Sequence, residues 1–139
     1  MCFYRTSKYK ISDGVYCYKV LRMEDGNLYS VIWNTDVPRK LGDTIKAAEM
    51  PQRWYHRFLP IQYRKEYAAK HLNNQFELKG EVVHAFSDTE DIPLYMWDPN
   101  HVIVKCFIPP GEFYWETCNE LAAFSIKLLN LVDVKEPEE

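Results

Sequence analysis

The sequence predicts an α+β domain: a mainly antiparallel, twisted sheet with one longer helix over about 61–73 and one short helix over about 89–96. Three observations carry this expectation. Short runs rich in β-branched and aromatic residues are separated by turn residues, the pattern of strands in a meander. Asp25-Gly26 stands between two such runs, a strong short-range hairpin signal. The stretch 61–72 has no internal Gly or Pro, and Pro60 precedes it, where the first turn of a helix has no use for an N–H.

Taken in order, 15–21 reads as a strand, 24–27 as a turn and 28–33 as its partner. The stretch 34–43 is loop, broken by Pro38 and Gly42, and 44–48 extends as a short strand. In the helix over 61–73, Ile61, Ala68 and Leu72 fall near one face while Arg64, Lys65 and Lys70 reach water. A buried strand over 82–86 follows. Ser87 and Glu90 then have the spacing of a capping box, and Pro93 limits the helix that starts there. A strand over 102–108 is closed by Pro109-Pro110-Gly111, with 112–116 returning as its partner. Asn119 caps a helical turn through Phe124, and 126–134 forms a final strand. This organisation is one domain over 1–134, with 44–76 read as a helical insertion and 135–139 as a frayed acidic tail.

With 139 residues, 47% of them hydrophobic, the chain is long enough to bury a sizeable core. Ten tyrosines help bring the aromatic share to 15%, which suits sheet packing or a recognition face. The net charge of −3 is unevenly spread: residues 1–84 carry +5 and residues 85–139 carry −8. The apolar stretch at the N-terminus is too short for a signal peptide. No run approaches the roughly 18 apolar residues of a membrane span. The expectation is a soluble, cytoplasmic protein. Cys2, Cys17, Cys106 and Cys118 lack the two-residue gap of a zinc or redox motif and read as reduced, mostly buried thiols. A tight turn at 109–111 would set Cys106 opposite Trp115 and Cys118 opposite Ile103.

The chemistry-bearing candidates are few. The segment Arg53-Trp54-Tyr55-His56-Arg57, continuing to Tyr63 and Arg64, interleaves bases with aromatics. Arg53, Trp54, Tyr55, Arg57, Tyr63 and Arg64 form the candidate binding surface, because Trp, Tyr and Arg carry much of the energy of interfaces. Its partner reads as a protein or a small nucleotide-like ligand; the acidic net charge disfavours nucleic acid. His84 precedes a predicted helix start, where N–H groups hold anions, and is the weak catalytic candidate. The same residue fits a hydrogen-bonded core position. His56, His71, His84 and His101 have no metal-ligand spacing, and there is no Gly-x-Gly-x-x-Gly or P-loop, so neither metal nor cofactor is expected. Asp88, Glu90 and Asp91 read as helix-capping carboxylates.

The order of signals resembles a loose group of small phage and prophage domains of unknown function. Tyr18-Lys19-Val20 matches their early strand, and Gly80 with His84-Ala85-Phe86 approximates a Gly-Phe-His-x-Phe strand. Glu90-Asp91, then Val102 to Cys106 with Gly111, match a short helix, a Val-rich strand and a Gly turn. The stretch from Ala122 to Leu129 fits the closing strand. Three residues separate Gly80 from His84 where the group has one, and 44–76 is outside the match. The resemblance implies phage origin and a small α+β fold. The resulting expectation is a non-enzymatic binding protein, a counter-defence inhibitor engaging a host protein or signalling nucleotide in the host cytoplasm. A second likeness, to the ADP-ribosyltransferase-like fold, implies instead a nucleotide- or NAD-processing enzyme, with Glu112 or Glu116 as its carboxylate. A small virion component is the third alternative. Oligomeric state is left open.

Overall fold

The computed structural model describes residues 10–31, 36–46, 83–116 and 119–133. Nine strands follow in chain order: β1 (Lys10–Ile11), β2 (Val15–Glu24), β3 (Asn27–Ser30), β4 (Thr44–Lys46), β5 (Val83–Phe86), β6 (His101–Ile108), β7 (Phe113–Glu116), β8 (Glu120–Ala123) and β9 (Ser125–Val132). All their pairings are antiparallel.

The α+β expectation is corrected. Among the described residues 59% lie in strands and 7% in helical turns, with no helix of seven residues or more. The chain is therefore an antiparallel β protein over this part. The helix expected over 61–73, and all of the proposed insertion beyond 44–46, lie outside the described residues. The short helix over 89–96 is replaced by two three-residue 3-10 turns, Thr89–Asp91 and Leu94–Met96. Pro93 is the cause: the residue before a proline is pushed out of the helical region, and Ile92 sits at φ −71°, ψ 120°. Asp88, not Ser87, caps the first turn, its carboxylate accepting the Glu90 N–H.

Two further expectations change. The stretch 112–116 does not fold back on β6, because β7 pairs instead with β1 and β8. Pro109 and Pro110 offer no N–H to continue a ladder, and Ser12 takes up the corner. Its N–H donates to Glu112 O and its carbonyl accepts from Gly111, both at 2.8 Å, while its hydroxyl donates to Ile108 O. The helical turn expected after Asn119 is β8, all four residues of which are buried. Sheet pairing on both edges, to β5 and β7, overrides the helix propensity of Ala122 and Ala123.

The Asp25-Gly26 hairpin is present. Both residues have positive φ, 52° and 80°, the requirement of a type I′ turn. Strand order along the sheet is β1-β7-β8-β5-β2-β6-β9-β4, with β3 on β2. Only Ser12–Gly14 joins β1, at one end of that path, to β2 in its middle. The sheet consequently curls back on itself. Inside the curl lies the main core, with Trp115, Leu21, Ile108, Leu121, Ile126 and Leu128 fully buried and Trp115 edge-on to Phe124 at 5.6 Å. A smaller cluster lies outside, where Ile92 and Met96 of the 3-10 segment cover Val20, Phe86 and Ile103.

Candidate ligand-binding face

β2 and β6 pair from Val15↔Ile108 to Arg22↔His101. Directly opposed residues share a face and successive ones alternate. Cys17, Lys19 and Leu21 thus face inward with Val104, Cys106 and Ile108. Tyr16, Tyr18, Val20 and Arg22 face outward with His101, Ile103, Lys105 and Phe107.

The outer row divides in two. Around Val20 and Ile103 it is roofed by the 3-10 segment; around Tyr16 and Phe107 it is open. There the Tyr16 and Phe107 rings lie 5.1 Å apart, tilted by 47°, and Lys105 Nζ sits 4.5 Å from the Tyr16 ring centre. Tyr16 is 56% exposed. Lys127 of β9 stands opposite Phe107, and Thr44 and Lys46 of β4 continue the face. From Tyr16 to Arg22 on β2, and along β6, β9 and β4, this face carries no Asp or Glu. Lys105, Lys127 and Lys46 form no salt bridge among the described residues. Gly14 passes beneath the Phe107 ring: a Cβ there would come within 3.1 Å of the ring edge, and its φ is +103°.

Where the roof meets the sheet, a cavity of about 390 Å³ is lined by Val20, Met96, Trp97, His101, Ile103 and, at its β9 end, Asp133, among others. The Trp97 indole N–H is buried and has no hydrogen-bond partner among the described residues. His101 Nδ1 lies 2.7 Å from Met96 O. A carbonyl only accepts, so Nδ1 carries the proton and Nε2 is the acceptor of the neutral ring. The cavity thus combines apolar walls with a donor and an acceptor. Val20 and Ile103 are each two residues from Tyr18 and Lys105, about 7 Å along the same face.

Directly beneath, the inner row contains an unusual group. Lys19 points into the core between Cys17 and Leu21. Its ammonium donates to His84 O at 2.5 Å, spanning the gap where β5 leaves β2 after the single Tyr18↔Phe86 pair. Burial holds its pKa below 10.5.

The six residues of the predicted binding surface, Arg53, Trp54, Tyr55, Arg57, Tyr63 and Arg64, lie outside the described residues. His84 is on β5, half-buried and opposite Ala122. The helix start that would have made an anion site beside it is a three-residue turn capped by Asp88. Glu116 is paired with Lys10 at 3.2 Å, and Glu112 is buried at the β6–β7 corner. Cys106 lies opposite Cys17, not Trp115. The face itself was missed, although Tyr16-x-Tyr18 and Lys105-x-Phe107 both have the period of one strand face. What the sequence lacks is the register that sets Tyr16 against Phe107. Among the described residues there is no group of three or more side chains able to hold a metal and no helix long and apolar enough to cross a membrane. No family model, no curated protein and no solved structure matches this chain.

Proposed function

We propose that the protein is a non-enzymatic binding protein that takes a nucleotide-like ligand on the outer face of β2 and β6. The observation that carries this reading is the open Tyr16–Phe107 ring pair flanked by Lys105 and Lys127, where β2 from Tyr16 to Arg22 and β6, β9 and β4 carry no carboxylate. Aromatic rings accept a base by stacking, worth about 1–3 kcal/mol per base, and the lysines supply the charge that phosphates need. The Trp97 N–H in the adjoining cavity offers a donor to a base edge. The phage origin implied by the sequence resemblance makes the host cytoplasm the setting and a signalling nucleotide the target, sequestered rather than turned over.

Titration of the full chain with ATP, a cyclic dinucleotide and a short oligonucleotide, followed by intrinsic fluorescence, tests the reading. Binding of at least one probe is expected, weakening with salt. Phe107→Ala with Lys105→Gln should lower that affinity by about tenfold or more, the equivalent of one lost stacking contact. Absence of binding to all three, or unchanged affinity in the double variant, would overturn it.

A further inference from the structure

Cys17 and Cys106 face each other across β2 and β6. Both are free thiols with no exposed surface. At the end of the same ladder the Met23 N–H donates to Asn100 O at 2.8 Å. Hydrogen-bonded pairs recur at every second position of an antiparallel ladder, which makes Cys17–Cys106 such a pair, with Cα atoms about 5.5 Å apart. A disulfide needs about 4.4–6.8 Å between Cα atoms, so the backbone spacing is already within range. Opposed Cβ atoms are about 4.5–5.5 Å apart, slightly beyond the usual disulfide range. The product is mildly strained and hence easily reduced.

The two thiols face each other in the core, and the Cys106 thiol donates to Val104 O at 3.3 Å. Interaction with the neighbouring Cys17 thiol, helped by the Lys19 charge and opposed by burial, draws the Cys106 thiol below its ordinary pKa. The same interaction, and then burial, pushes Cys17 up.

We propose that Cys17 and Cys106 are a covalent redox site, converted by hydrogen peroxide to a cross-strand disulfide inside the curl of the sheet. The Cys106 thiolate attacks one peroxide oxygen; the O–O bond breaks, a sulfenic acid forms and the released hydroxide leaves as water after taking a proton. The Cys17 sulfur then attacks the sulfenic sulfur, the S–O bond breaks, the S–S bond forms and a second water departs. Two thiols lose two electrons and two protons, and peroxide is reduced to two waters. A small neutral oxidant suits two thiols without exposed surface, whereas a bulky disulfide has no route to them. The site is independent of what the outer face binds.

The test is peroxide treatment of the folded full chain, removal of the peroxide, unfolding with alkylation of remaining thiols, and non-reducing peptide mapping. A linked Cys17–Cys106 peptide is expected, lost again when the unfolded chain is reduced. Lys19→Met should slow its formation several-fold, as removal of the nearby cation lowers the thiolate fraction. Cys17→Ala should instead leave a dimedone-reactive sulfenic acid at Cys106. If both residues stay alkylatable while Cys2 or Cys118 is oxidised, or if the link appears only after unfolding, the proposal is overturned; both outcomes are read on the unaltered protein and do not depend on any variant folding.

Discussion

The two faces of the β2–β6 ribbon use the same backbone for opposite purposes. On the inner face Cys17, Leu21, Val104, Cys106 and Ile108 have no exposed surface at all, while one residue away on the outer face Tyr16 is 56% exposed. Side chains that differ by one step in sequence therefore belong to different environments: the inner row packs in the main core, and the outer row meets the solvent around Tyr16 and the 3-10 segment around Val20. A face built this way can change its chemistry without touching the main core.

That contrast can be broken most forcefully from inside. Leu21→Ala should cost about 2–5 kcal/mol, the range for a fully buried leucine, read as a lower midpoint in urea unfolding. Gly14→Ala should come next. Its positive φ is closed to other residues at a cost of about 1–2 kcal/mol, and the new methyl would press on Phe107. This one change should reduce both stability and ligand binding, because Gly14 touches both sides of the comparison.

Lys19→Met sharpens the contrast in the other direction. A buried charge replaced by an apolar group of similar shape is often stabilising, and a gain of about 1 kcal/mol is expected. The pH dependence follows from the lowered pKa of Lys19. Between that lowered value and 10.5 the unfolded chain binds the proton that the folded chain has released, so stability rises with pH across this window and levels off above it. The difference between the unaltered protein and Lys19→Met should shrink as pH climbs through it. The smallest effect on stability belongs to the outer face: Lys127→Gln should stay within about 0.5 kcal/mol. Its consequence should show only in binding, as a weaker interaction whose salt dependence falls by about one unit of slope.

Much of the strand content was readable from residue order. The Asp25-Gly26 turn and the Val-rich run at 102–108 announce themselves locally, since turn chemistry and β-branching act over a few residues. The closing moves of the fold are different in kind. Whether Phe113–Glu116 returns to β6 or crosses to β1 depends on Ser12, about a hundred positions away, and Ala122-Ala123 become strand only because two neighbours bury them. The proposed binding face has the same character. Tyr16, Lys105 and Phe107 are individually unremarked, and come together through a register that no local pattern contains. The basic-aromatic stretch around Trp54, by contrast, was conspicuous in sequence because its bases and rings are consecutive.

The seam between β1 and β7 sets a timetable for the chain as it is made. Lys10 meets Glu116 106 positions later, so during synthesis β1 waits for more than a hundred further residues before its partner emerges. The β2–β3 hairpin can assemble early from adjacent residues, but the edges of β2 stay unsatisfied until β5 and β6 arrive. Topologies dominated by such distant pairings fold slowly and leave strand edges exposed in the interval. A ribosome-bound chain of this protein should accordingly be most dependent on chaperones before β8 and β9 leave the exit tunnel, and less so once they have paired.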